Sequence, residues 1–349
     1  MPNIYVTREI PEVGLKLLRD KFGKFDMNTE DRVLTRAELL EKVKGRDGVL
    51  CLLTDKIDKE VYDAAGPQCK IFSNYAVGFN NIDVEEASKR GIMVTNTPGV
   101  LNDSTADLAI TLLFSAARRI VEADTYMRAG KFKGWGPMLL IGQDITGKTL
   151  GIVGAGRIGA NVAIKMAKGF GMKILYVDKF QNKEMEAATG AKQVDMETLL
   201  KESDFISVHV NLTPETTHLI GEKEFGMMKP TCVFVNTARG PVVDENALVK
   251  ALKEKKIFAA GLDVYENEPA LAPGLSELSN VVIPPHVASA TFWTRGKMAE
   301  MAALNLIAAM EGKMPEFCVN KDQLKKGQRG NFRIKGGYEK NTFNRCYYF

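Results

Sequence analysis

The sequence predicts an α/β protein of two domains with parallel sheets, one inserted into the other. Three observations lead to this class. Short apolar runs alternate with helix-period segments along most of the chain. A glycine-rich turn follows an apolar strand in the middle of the chain, so a different domain must precede it. A helix with an apolar face lies beyond the last strand, with nothing of its own to pack against. At 349 residues and 45% hydrophobic content, the chain can bury two cores.

In the first part, residues 4–7, 48–53, 71–74 and 93–96 read as strands, and 12–21, 36–43, 58–65 and 83–90 as helices. Pro98-Gly99 punctuates their end, and the polar stretch 102–105 is expected to cap a long apolar helix over 106–126. Later strands are expected at 205–210, 232–237, 259–264 and 281–283, the last running into Pro284-Pro285. The helix at 294–310 carries Met298, Met301, Ala302, Leu304, Asn305 and Ala308 near one face. That face is expected to return to the first domain. The boundaries then read 1–99 with 287–320 for a discontinuous substrate-binding domain, 100–286 for the inserted domain and 321–349 for a basic tail. Paired crossings near residues 99 and 286 make a hinge.

The central turn runs Thr149-Leu-Gly-Ile-Val-Gly-Ala-Gly-Arg-Ile-Gly159. Gly154 permits the tight turn, Gly156 lets a pyrophosphate approach the backbone, and Gly159 lets the next helix pack closely. Ile158, Val162, Ala163, Met166, Ala167 and Phe170 then recur at helical spacing, and residues 173–177 form a further strand ending at Asp178. This βαβ unit predicts a dinucleotide site with the phosphates at a helix N-terminus. A carboxylate at Asp178 pairs with ribose hydroxyls and repels a 2′-phosphate, which favours NAD over NADP.

The five cysteines, Cys51, Cys69, Cys232, Cys318 and Cys346, are odd in number and form no Cys-x-x-Cys pair. They point to a reducing compartment rather than to a disulfide framework or a metal site. No apolar run approaches membrane-spanning length and the N-terminus has no signal pattern, so a cytoplasmic protein without membrane attachment is expected. Of the formal charge of +4, residues 321–349 contribute eight Lys or Arg against two acids, and the remaining body is close to neutral. The tail's basic residues are interleaved with Phe332, Tyr338, Phe343, Tyr347 and Tyr348. A solvated extension is the favoured reading over a nucleic-acid-binding segment.

Ligands of open α/β sheets collect at the carboxyl ends of the strands. There the sequence places Arg239, Glu268 and His286, each just after a predicted strand. Arg239 offers a charged fork for a substrate carboxylate and carbonyl oxygen, and His286 can deliver a proton to that oxygen while NADH delivers hydride. Glu268 can orient the imidazole and raise its pKa. Histidine occurs only at His209, His218 and His286, so the search for an acid is short.

With these residues in place, the chain resembles the D-isomer-specific 2-hydroxyacid dehydrogenases, and within them the glyoxylate and hydroxypyruvate reductases. The matching stretches are Asn74-Tyr-Ala-Val-Gly-Phe-Asn-Asn-Ile-Asp83, Asn96-Thr-Pro-Gly99, the glycine turn, Asn236-Thr-Ala-Arg-Gly240, Gly261-Leu-Asp-Val-Tyr-Glu-Asn-Glu-Pro269 and Pro285-His-Val-Ala-Ser-Ala290. The resemblance implies two Rossmann-like domains, the NAD-binding one inserted into a discontinuous flavodoxin-like substrate domain. It implies catalytic roles for Arg239, Glu268 and His286, and a substrate carboxylate held by Arg239 and the backbone amides of Val77 and Gly78. It further implies that Thr237 and Asp263 line the nicotinamide pocket, and that Thr105, Arg157 and Ile158 join Gly154, Gly156, Gly159 and Asp178 around the cofactor. A homodimer is implied, through the helix 106–126 and the segment 135–141.

The expected activity is NADH-dependent reduction of glyoxylate or hydroxypyruvate to the D-2-hydroxy acid. Oxidation of 3-phosphoglycerate uses the same trio and is the alternative within the class, while formate oxidation is disfavoured by Glu268. A NAD-sensing corepressor is the alternative outside it, supported only by the basic tail. The chain departs from the family pattern at His209-Val-Asn211, where proline commonly stands two residues after the histidine, and after about residue 325.

Overall fold

In the computed structural model, which describes residues 1–327, the chain divides into two compact units: Met1–Pro98 with residues 298–327, and Gly99–Lys297. The first unit opens with β1 (Ile4–Val6), α1 (Glu12–Phe22), β2 (Asp26–Met27) and α2 (Arg36–Lys42). It continues through β3 (Gly48–Leu52), α3 (Lys59–Ala65), β4 (Ile71–Tyr75), α4 (Val84–Lys89) and β5 (Met93–Thr95). The strands form a parallel sheet in the order β2-β1-β3-β4-β5. The helices expected at 58–65 and 83–90 start later because Asp58 and Asp83 cap them, accepting from the amides of Val61 (3.4 Å) and Glu86 (2.9 Å). Two-residue β2 is too short to show alternation in the sequence.

The second unit begins with α5 (Asn102–Ala117) and α6 (Ile120–Arg128). The single helix expected over 106–126 is therefore broken, and residues 102–105 form the first turn of α5 instead of capping it. The break has a tertiary cause. The Ala117 carbonyl accepts from the Gln143 amide at 2.9 Å in place of an intrahelical donor, and Arg119 turns the chain at φ 53°. Beyond it come β6 (Thr149–Val153), α7 (Arg157–Phe170), β7 (Lys173–Val177), α8 (Lys183–Thr189), β8 (Lys192–Gln193), α9 (Met196–Glu202) and β9 (Phe205–Val208). Then follow α10 (Glu222–Met227), β10 (Val233–Asn236), α11 (Glu245–Lys253), β11 (Ala259–Leu262) and β12 (Val281–Val282). The seven strands pair in parallel in the order β12-β11-β10-β9-β6-β7-β8. Apolar cores cover both faces, one around Ile206, Phe234 and Leu248 and the other around Leu113, Ile152 and Val162.

Helix α12 (Phe292–Met310) contains the passage back to the first unit, at Lys297 and Met298 and not at residue 286. Its buried face is Met298, Ala299, Ala302, Ala303, Asn305, Leu306 and Ala309, whereas Leu304, expected on it, is 48% exposed. Small residues decide the face. A side chain at Gly14 would run into the Ala299 backbone, so glycine there lets α1 lie directly on α12. Ser73 Oγ, on β4, donates to the Ala302 carbonyl at 2.8 Å.

The basic tail expected from residue 321 starts as a docked helix, α13 (Lys321–Gly327), with Leu324 buried. Just before it, the Asn320 side chain accepts from Val94 N (3.0 Å) and donates to Ile92 O (2.8 Å). The rest of the tail, including Phe332, Tyr338, Phe343, Cys346, Tyr347 and Tyr348, lies outside the described residues. Among the described residues no helix is long and apolar enough to cross a membrane.

Leu306 is fully buried, and its Cδ1 fills the space beside Gly48 on β3. Leu306→Ala should destabilise the protein by about 2–5 kcal/mol, read as a lowered midpoint in denaturant unfolding.

Candidate active site

At the carboxyl end of β6 the chain turns through Gly154 at φ 96°, and a Cβ there would press within 2.8 Å of the His209–Val210 peptide. A Cβ on Gly159 would collide with the Gly154 carbonyl, so this glycine lets α7 start against the strand. Gly156 differs: nothing lies within 4 Å of where its Cβ would be. It is the N-cap of α7 and brings no side-chain cap of its own, which leaves the helix N-terminus open to an anion. Arg157 and Ile158 form the first turn, with Arg157 exposed.

Asp178, directly after β7, accepts from Ala155 N at 2.7 Å and from Phe180 N at 3.1 Å, while Asn182 Nδ2 donates to Ala155 O at 2.7 Å. The carboxylate is thus tied to the glycine turn itself. Thr105 is buried in α5, whose Asp103 accepts from Asn161 of α7 at 2.6 Å. Thr237 follows β10, and its Oγ1 is buried with no hydrogen-bond partner among the described residues.

The trio sits on the loops after β10, β11 and β12. Asn236 at the end of β10 donates to the Arg239 carbonyl (3.0 Å) and accepts from Ala238 N (2.9 Å), fixing the turn that presents the guanidinium. A Cβ on Gly240 would overlap the Tyr265–Glu266 peptide, so glycine brings the loops after β10 and β11 into contact. His286 Nδ1 lies 3.0 Å from Glu268 Oε2, and Glu268 Oε1 accepts from Tyr265 N at 3.0 Å. Burial pushes the Glu268 carboxyl up, but His286, the Tyr265 amide and Arg239 together outweigh it and leave the group below its ordinary value. Burial lowers the Arg239 pKa, and the charge of Glu268 partly restores it.

Asp263 is fully buried and accepts from the amides of Val287 (2.7 Å) and Ala288 (2.9 Å). Burial raises its carboxyl despite those two bonds. Asp263 therefore anchors the backbone that carries His286, and Tyr265 Oη reinforces it by donating to Pro284 O at 2.6 Å. Neither role was visible in the sequence, because the partners are backbone groups of a distant loop.

Of the other histidines, His209 lies just beyond β9 with Nε2 2.8 Å from Ser207 Oγ, and burial pushes its pKa down to about 4. His218 pairs with Glu266 Oε1 at 2.7 Å, a second histidine–glutamate contact that the sequence reading missed. A cavity of about 770 Å³ lined by Ala116, Arg119, Glu122, Phe258, Asn280 and Val282 lies toward the starts of β11 and β12, and none of the trio lines it. In the other unit, Val77 and Gly78 follow β4 and are half-buried.

Residues 110–288 match the family described as D-isomer specific 2-hydroxyacid dehydrogenase, NAD binding domain. The glyoxylate reductase of Thermococcus litoralis is 54% identical over 327 residues, which span 93% of this chain and 98% of that one. The chain belongs to the D-isomer specific 2-hydroxyacid dehydrogenase family. It is an oxidoreductase of that family, and its Gly99–Lys297 unit contains the nicotinamide-dinucleotide-binding domain. A Thermus thermophilus protein of known structure shares 43% identity at a TM-score of 0.85, covering 91% of this chain and 99% of that one. An NADPH-dependent glyoxylate/hydroxypyruvate reductase from Sinorhizobium meliloti shares 31% identity at a TM-score of 0.77, covering 91% and 98%. The residues present in this dehydrogenase fit a dinucleotide: the space over Gly156 suits a pyrophosphate, and the Thr237 hydroxyl lacks a partner among the described residues.

The two glycines of the turn should separate by substitution. Gly156→Ala is expected to keep its melting temperature and weaken dinucleotide binding at least tenfold by titration, roughly the loss of one close phosphate contact. Gly159→Ala should instead lower the melting temperature, because its Cβ has no room.

Proposed function

We propose that this dehydrogenase reduces glyoxylate, or a similarly small 2-oxo acid such as hydroxypyruvate, to the D-2-hydroxy acid, with NADH preferred over NADPH. The observation that carries the proposal is the 3.0 Å contact between His286 Nδ1 and Glu268 Oε2. The glyoxylate reductase of Thermococcus litoralis, 54% identical, supplies the substrate class.

A carboxylate only accepts, so His286 donates through Nδ1–H, and Nε2 carries the proton given to the substrate oxygen. Glu268 holds the ring and stabilises its charged form. Arg239, fixed by Asn236, faces the substrate carboxylate and carbonyl oxygen and polarises the C=O bond. When bound, a nicotinamide dinucleotide would supply the hydride. One proton from His286 and one hydride turn the carbonyl into the alcohol, and the imidazole is reprotonated from water. The amides of Val77 and Gly78 take the substrate carboxylate. Thr105, Arg157 and Ile158 accompany the glycine turn around the phosphates, with Thr237 and Asp263 on the nicotinamide side. Asp178 supports NADH, since a 2′-phosphate beside its carboxylate is repelled; the Sinorhizobium meliloti reductase, NADPH-dependent, makes this choice a point to measure.

We also propose a homodimer through α6 and the segment after it. No residue of α6 is buried, and Trp135, Met138 and Ile141 are 85%, 79% and 52% exposed. Apolar groups so placed gain by being covered.

Purified protein should oxidise NADH on addition of glyoxylate, and faster than NADPH. His286→Asn should reduce kcat by about 10²–10⁴-fold and leave the NADH dissociation constant unchanged. No turnover with any small 2-oxo acid would overturn the function, and lost NADH binding would overturn the role of His286. Sedimentation should show a dimer that Trp135→Asp with Met138→Asp shifts toward monomer.

A further inference from the structure

Beyond β4 the chain passes through Ala76, Val77 and Gly78 with three successive carbonyls each held by a donor, the first two from the segment that follows β5. Ala76 O accepts from Thr97 N at 2.8 Å, Val77 O from Asn96 Nδ2 at 2.8 Å and Gly78 O from Asn74 Nδ2 at 2.9 Å. In a trans peptide the carbonyl and the following N–H point in opposite directions. Holding Ala76 O therefore aims Val77 N–H away from β5, and holding Val77 O aims Gly78 N–H the same way. Among the described residues, neither N–H has a hydrogen-bond partner.

The donors are rigid. Asn74 and Thr97 are fully buried and Asn96 is nearly so. Asn96 is tied at both backbone ends, its N–H donating to Phe317 O and its carbonyl accepting from Asn305 Nδ2, each at 3.3 Å. Asn74 is braced by Asn81, whose Nδ2 also reaches Leu52 O (3.1 Å) and Asp55 O (3.0 Å). Of the three tethers on the carbonyls, the one behind Gly78 N–H depends on the Asn96 side chain.

We infer that Asn96 is a positioning residue for carboxylate recognition: its amide locks the Val77–Gly78 peptide so that Gly78 N–H meets the substrate carboxylate already oriented. This rests on the reading that the amides of Val77 and Gly78 take that carboxylate. Without the tether the peptide must be ordered at each binding event, and the cost falls on affinity for the acid.

The test uses oxamate, an unreactive analogue of a 2-oxo acid, titrated into the protein with NADH bound. Asn96→Ala should weaken oxamate and raise KM for glyoxylate by about tenfold each, with a smaller change in kcat and no change in the NADH dissociation constant. Asn96→Asp keeps the shape, loses the donor and sets a carboxylate against Val77 O, so it should lose at least as much and covers the case in which the alanine variant does not fold. Oxamate binding as tightly to both variants as to the unmodified protein would overturn the inference. The amide resonances of Val77 and Gly78 in the unmodified protein distinguish the two levels. If oxamate shifts them, the carboxylate reading stands whatever the variants do; if it leaves them in place, that reading falls and this inference with it.

Discussion

Parallel pairing ends every strand of a sheet at the same edge, and the chemistry of this protein depends on that constraint. In the seven-stranded sheet the edge collects the glycine turn after β6, Asp178 after β7, Thr237 and Arg239 after β10, Glu268 after β11 and His286 after β12. These residues are scattered over more than a hundred positions in sequence. The helices that return each strand to the starting edge cover both faces of the sheet, so its core is apolar and the edge that carries these residues is built from loops and the start of α7.

Loops alone hold side chains loosely, and here hydrogen bonds between side chains and the loop backbone brace them. Asn236 ties the Arg239 turn, Asp263 accepts two amides from the His286 segment, and Tyr265 bonds to the carbonyl of Pro284. At Gly240 a Cβ would keep the loops after β10 and β11 apart, and glycine removes it. The same device recurs in the smaller sheet, where Asn74 and Asn96 hold successive carbonyls of the 76–78 segment. In both units a buried side chain fixes a peptide, and in the proposed site that peptide presents the group that meets the substrate.

The amino-acid sequence by itself determined the parallel α/β class, the position of most strands, the glycine turn, and the presence of Asp178, Arg239, Glu268 and His286 at strand ends. Those features are legible because they are local: side-chain period, turn glycines and the residue after a strand all lie within one short window. What tertiary structure decided came from partners remote in sequence. The helix expected over 106–126 breaks because Gln143 claims the Ala117 carbonyl, and Leu304 faces outward because Gly14 draws the alanine side of α12 against α1. The anchoring role of Asp263, the pairing of His218 with Glu266 and the tethers behind Val77 and Gly78 belong to the same group. A hydrogen bond between distant segments leaves no periodicity in either, so only the folded chain shows which of many polar residues are joined.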